Sequence, residues 1–137
     1  TPADSESNIF STITKQKITL LGLQSCSSKL FEKGTIFVTA RGTVGKINIA
    51  SEKMAMNQSC YALQANEGIN YEFLYFYSME LVRHLKAKAS GSVFKAIVTN
   101  DILLSKMATP SHTLIKNYGV VAKPLFDKIL NNKKLET

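Results

Sequence analysis

The chain has 137 residues, 45% of them hydrophobic and 20% charged, which suits one ordinary domain built around a single core. No apolar run approaches the roughly 20 residues that a membrane span needs, and Thr1-Pro2 opens no basic or apolar leader, so we expect a cytoplasmic protein, cut as a fragment, with no membrane partner. A net charge of +7 favours a polyanionic partner without identifying one.

The charge is unevenly placed. Residues 15–46 hold six Lys/Arg against Glu32 alone, and residues 81–116 hold six against Asp101 alone. Between them, Lys53 stands against Glu52, Glu67, Glu72 and Glu80. Two separated basic blocks suit a folded surface with one basic face, and equally a set of solvated lysines. Cys26 and Cys60 are too few for a disulfide framework and lack zinc-site spacing, so both are expected to be buried thiols.

In chain order, the first fourteen residues are polar and predict a loop. Thr19 can cap a short helix to Ser25, and Lys33-Gly34 makes a turn. Three strands follow, 35–39, 46–50 and 59–64, each β-branched or alternating, and their close spacing implies an antiparallel sheet. Asn70 is an N-cap for a helix reaching about Lys88, with Leu74, Tyr77, Leu81 and Leu85 as its apolar stripe. Its aromatic residues Tyr71, Phe73, Tyr75, Phe76 and Tyr77 are better suited to core packing than to stacking on bases.

After Ala89-Ser90-Gly91-Ser92, Thr99 or Asn100 starts a short turn before the extended Met107–Pro110. A final helix carries Leu114, Tyr118, Val121, Leu125 and Ile129, a spacing that fits packing on a helix as well as on a sheet. Gly119 and Pro124 weaken it, and Pro124 should kink or restart it. The fold class is α+β: a mixed or antiparallel sheet, one packed amphipathic helix and a C-terminal spacer-type helix.

Three segments can carry binding chemistry. Arg41-Gly42-Thr43-Val44-Gly45-Lys46 joins two strands, and its glycines, bare amides and two cations favour an anion such as phosphate. The same turn also suits a hairpin bend with solvated cations. A P-loop would need Gly at Ala40 and Ser or Thr at Ile47, and the G-x-x-G loop of RNA-binding KH domains sits between helices rather than strands. Asn57 and Gln58 can pair with adenine or stitch a loop, and Ser92 and Lys95 can meet a phosphate or water. His84 and His112 lack partners at a catalytic spacing, and no carboxylate pair or nucleotide fingerprint appears. No catalytic residue and no metal ligand is assigned.

Taken in order, Glu32 to Lys46, Met56-Asn57-Gln58-Ser59 and Gly91 to Ile97 resemble a target-recognition domain of the specificity subunit of Type I restriction-modification systems. Pro110, the helix after it and Lys123 to Ile129 are similar to that family's passage into a spacer helix, which divides the chain into a recognition domain over 1–110 and a spacer segment over 111–137. The resemblance implies sequence-specific binding of double-stranded DNA, one half of a split target per domain, with no catalysis in the chain itself. S-adenosylmethionine, ATP and magnesium would serve only the partner modification (methyltransferase) and restriction subunits. A second recognition domain, or a second copy of the chain, would read the other half. DNA contacts are expected from Arg41, Gly42, Thr43, Gly45, Lys46, Asn57, Gln58, Ser92 and Lys95. Outside the resemblance stand a protein-interaction module and an RNA-binding module with a basic face.

Overall fold

The computed structural model describes residues 8–14, 16–89 and 95–135. Its strands are β1 (Phe10–Ser11), β2 (Leu30–Phe31), β3 (Ile36–Thr39), β4 (Ile47–Ala50), β5 (Met54–Ala55) and β6 (Cys60–Leu63). The helices are α1 (Leu20–Gln24), α2 (Tyr71–Lys88), α3 (Thr99–Leu103) and α4 (His112–Leu135). The fold is α+β, as the sequence pattern implies.

Four strands form one sheet in the order β1-β4-β3-β6, and β2 pairs with β5 in a second. The three longer strands fall within one residue of their sequence positions and pair antiparallel, Val38 facing Ile47 on one side and Tyr61 on the other. The sheet is nevertheless mixed, because β1 runs parallel to β4. That strand corrects the expectation of a loop over the first fourteen residues for Phe10 and Ser11, residues 1–7 lying outside the described residues. Phe10 and Ser11 are held by burial, while the Asn48 side-chain amide donates to the Asn8 carbonyl at 2.6 Å and the Ser51 hydroxyl to the Ser11 carbonyl at 2.6 Å.

Every residue of β3 is buried, because both faces of the sheet are covered. On one face Ile36, Val38, Ile49 and Phe10 meet Tyr75, Val82 and Leu85 of α2 and Phe126 of α4. On the other, Phe37 and Ala50 pack with Phe31 of the small sheet.

Helix α2 starts at Asn70, whose side-chain oxygen accepts the Phe73 amide at 2.9 Å. Leu81 and Leu85 of its expected stripe are buried, but Leu74 and Tyr77 are half-buried, and Tyr75, Ser78 and Val82 take the inner positions. Two turn glycines with positive φ flank β3 and meet the two ends of this helix. A methyl group on Gly34 would lie 2.9 Å from the Tyr71 ring, and one on Gly45 would lie 2.6 Å from Val82 Cγ1. At about 1.5 Å per residue, α2 thus spans the sheet from one end to the other.

Helix α4 runs unbroken through Pro124, which lies on its exposed side. Its packed face is not the expected one. Ile115, Gly119, Ala122, Phe126 and Leu130 are buried, whereas Val121 is 70% exposed and Leu125 59%. The inner face mixes two small residues, Gly119 and Ala122, with the larger Ile115, Phe126 and Leu130. Gly119 lets the Asn70 side chain come within 2.5 Å of where a Cβ would stand, and Phe126 fills the space between elements. Its ring meets Phe10, Tyr71, Tyr75 and Phe76 edge-on at centroid separations of 5.9 to 6.3 Å. Of the α2 aromatics Tyr75 is buried in the core and Tyr71 packs against it half-buried, whereas Phe73 and Tyr77 are half-buried outside that cluster and Phe76 is 47% exposed. The cysteines divide as well: Cys60 is buried and Cys26 exposed, contrary to the expectation of two buried thiols. Burial pushes the Cys60 thiol up from its ordinary range.

Replacing Phe126 by Ala should lower unfolding stability by about 3–5 kcal/mol, the usual cost of emptying an aromatic site in a core. Leu125→Ala, one residue away, should change it by about 0.5 kcal/mol or less. Urea denaturation of the two variants measures this, and comparable losses would contradict the assigned face of α4.

Candidate nucleic-acid interface

Strand register decides which chemical groups share an end of the sheet. Thr39, the last residue of β3, pairs with Cys60, the first of β6, and β4 begins just beyond the 41–46 turn. The turn and the 57–59 loop therefore emerge together. Two backbone bonds fix this arrangement: the Ala40 amide donates to the Ser59 carbonyl at 2.7 Å, and the Ile97 amide to the Ala40 carbonyl at 2.9 Å. Arg41 and Ala96 form a bridge between them. Three segments far apart in sequence thus converge beside the C-terminal end of α2.

Thr39 organises the turn itself. Its buried hydroxyl accepts the Lys46 amide at 2.9 Å and donates to the Thr43 carbonyl. Its amide donates to the Lys46 carbonyl at 2.9 Å, and its carbonyl accepts the Gly45 amide at 2.8 Å. The Val44 amide turns inward too, to the Gly42 carbonyl at 3.1 Å. The picture of a row of bare amides therefore needs correcting for Val44, Gly45 and Lys46, whose N–H groups are satisfied inside the turn. Anion attraction at this end comes chiefly from side-chain cations.

The two turn glycines have different duties. Gly42, at φ +74°, has open space around its missing Cβ, so a partner can approach its backbone closely. Gly45, at φ +81°, is pressed against Val82 and the stem of Lys86. The first is available to a ligand, while the second is an architectural requirement.

Arg41, Gly42 and Thr43 are exposed and Lys46 is half-buried. Lys95 is exposed and adjoins the Arg41–Ala96 bridge, so the fold brings Arg41, Lys46 and Lys95 to one rim. Gln58 is exposed in the neighbouring loop. Asn57 is exposed too, but its side-chain oxygen accepts both the Ser59 amide at 3.1 Å and the Ser59 hydroxyl at 2.6 Å. That engagement favours the stitching role over paired contact with adenine. Ser92 lies outside the described residues.

The opposite end of the sheet is different in kind. There the Gly34 amide donates to the Ala50 carbonyl at 2.9 Å, and Lys53 pairs with Glu32 at 2.7 Å. Elsewhere Arg83 pairs with Glu80, drawing the Glu80 carboxyl below its usual range, and Lys123 does the same to Asp127 across 2.7 Å. Arg41 and Lys95, both exposed near the turn, form no ion pair among the described residues.

Among the described residues no group of three or more His, Cys, Asp or Glu could hold a metal ion. No helix among them is long and apolar enough to cross a membrane. Glu72 is buried in the first turn of α2, with one carboxylate oxygen unpartnered among the described residues. Burial together with Glu72 raises the Tyr71 and Tyr118 hydroxyls above the ordinary phenol range. These groups sit at the α2–α4 contact, away from the cationic rim.

Comparison with known proteins settles the family. Residues 3–123 match the family described as Type I restriction modification DNA specificity domain. The chain belongs to that family. It is 28% identical over 122 residues to the Type I restriction enzyme MjaIX specificity subunit of Methanocaldococcus jannaschii, a match covering 88% of this chain and 28% of the relative. Against the Type I restriction enzyme HindI specificity subunit of Haemophilus influenzae, identity is 26% over 133 residues, covering 94% of this chain and 29% of the relative. The chain therefore spans less than a third of the length of either relative. The family membership bears out the resemblance carried by the glycine turn and the segments around it.

The specificity-domain fold makes the glycines separable by mutation. Gly42→Ala should destabilise by the left-handed backbone cost alone, about 1–2 kcal/mol. Gly45→Ala should add an overpacking cost of about 1–3 kcal/mol against Val82. Paired denaturation curves give the difference, and a smaller loss at Gly45 than at Gly42 would contradict the packing of the turn on α2.

Proposed function

We propose that this chain binds double-stranded DNA sequence-specifically as the target-recognition part of a Type I specificity subunit, reading one half of a bipartite target and performing no catalysis itself. The observation that carries the proposal is the convergence of the 41–46 turn, the 57–59 loop and residues 95–97 at one end of the sheet. In this reading Arg41, Lys46 and Lys95 contact phosphates and set the register of the domain on the duplex. Gly42 and Thr43 offer close backbone approach, and loop side chains such as Gln58 reach base edges.

The division of labour follows from the two halves of the chain. Residues 1–110 form the recognition domain and 111–137 the spacer segment, although the inner face of α4 shares the core of the domain. Its outer face carries Leu114, Tyr118, Val121, Leu125 and Ile129, all exposed. Spacing of three and four residues is that of a helix seam, which supports docking against the helix of a second recognition domain or a second copy, and against the modification subunit. Methyl transfer from S-adenosylmethionine, and ATP- and magnesium-dependent translocation and cleavage with the restriction subunit, belong in this scheme to the partners. A protein-interaction role for α4 thus complements DNA binding instead of competing with it.

Fluorescence anisotropy of the chain with selected and random duplexes tests the reading. The phosphate contacts of Arg41, Lys46 and Lys95 contribute about −3 to the slope of log affinity against log salt. Arg41→Ala should flatten that slope by about 1 and weaken all sequences alike. Equal affinity for every duplex at every salt concentration would contradict sequence-specific recognition.

A further inference from the structure

The sequence pattern confines the cationic rim to the turn and the 95–97 segment, but the structure brings a helix to the same place. We propose that Lys86 of α2 is an additional phosphate-binding residue of the DNA interface, held at the edge of the glycine turn by the missing side chain of Gly45. The inference rests on the DNA-binding reading above and extends it to an element outside the sequence motifs.

Three observations carry it. A Cβ on Gly45 would lie 3.0 Å from Lys86 Cε and 3.2 Å from Lys86 Nζ, so the lysine stem lies along the glycine backbone and its ammonium group stands at the turn. Close contact with a rigid turn restricts the rotamers of a flexible side chain, which lowers the entropy lost when it meets a ligand. Second, Lys86 forms no ion pair among the described residues, whereas Arg83 one turn earlier is engaged by Glu80. Its charge is not already spent on a carboxylate.

The third observation is the direction of α2. The helix delivers its C-terminus to the rim, and that end carries a partial negative charge that would oppose a phosphate. A cation on the last turn, facing the rim, reverses the local sign. Lys86 occupies that position, and Lys88, two residues on, projects about 200° around the helix from it. Offsetting the helix dipole would by itself account for a lysine on the last turn. It does not account for the one lysine that is laid against Gly45.

The experiment compares the unsubstituted chain with Lys86→Gln, Lys86→Arg, Lys88→Gln and Arg41→Ala, using a random-sequence duplex across a salt series. Lys86→Gln should flatten the slope of log affinity against log salt by about 1 and weaken every sequence equally, with no change in the unfolding midpoint. Lys86→Arg should restore the slope, and Lys88→Gln should leave it unchanged. If Arg41→Ala flattens the slope but Lys86→Gln does not, or if Lys88→Gln acts as strongly as Lys86→Gln, the assignment is overturned while DNA binding stands. An unsubstituted chain that does not bind the duplex removes the DNA reading and this assignment together.

Discussion

The hydroxyl of Thr39 accepts the Lys46 amide and donates to the Thr43 carbonyl, while the backbone of the same residue binds both Lys46 and Gly45. These bonds close the 41–46 turn over a buried side chain. A closed turn in turn fixes where β4 begins, how Gly45 meets Val82, and where Arg41 can pair with Ala96. An unsatisfied buried hydroxyl or amide costs about 1–3 kcal/mol, so opening the turn is unfavourable and its cations are presented on a stiff support. A recognition surface benefits from that stiffness, because ordering a loop on binding subtracts from affinity.

Helix α2 transmits the same constraint across the domain. It is pinned at its first turn where Tyr71 meets Gly34 and near its last where Val82 and Lys86 meet Gly45. Both glycines hold positive φ, so they satisfy a turn and a close approach at once. Polarity follows from this clamp: the acidic residue Glu72 stays at the buried N-terminal end, and Lys86 arrives at the rim. The chain's positive charge becomes directional through this packing, which the net value of +7 does not convey.

Much of this was legible in the sequence, for identifiable reasons. The strands of the hairpin announce themselves through Ile36-Phe37-Val38-Thr39 and the alternation of Ile47 to Ala50, and α2 through its Asn70 cap. What escaped depends on distant partners. Strand β1 is two residues long in a polar segment and exists because Ile49 and Ala50 lie beside it. Strands β2 and β5 are equally short and depend on each other. On α4 the expected stripe of Leu114, Val121 and Leu125 points outward, while Gly119 and Ala122, weak as hydrophobic signals, lie on the buried face with Ile115, Phe126 and Leu130. The motifs of the site were visible, but their convergence was not, since it rests on the Ala40–Ser59 and Ala40–Ile97 backbone bonds. Thr39 was hidden inside a β-branched run, and only its position just before a glycine turn hinted at a second duty.

The central claim is that one end of the sheet is the DNA-binding end. Backbone amide chemical shifts of the isotope-labelled chain, followed on addition of a duplex, test it most directly. The account predicts that perturbations concentrate at residues 41–46, 57–59 and 95–97, leaving Lys33, Gly34 and Lys53 at the opposite end unchanged. A footprint centred on residues 32–35 and 50–55, with the 41–46 turn unaffected, would contradict it.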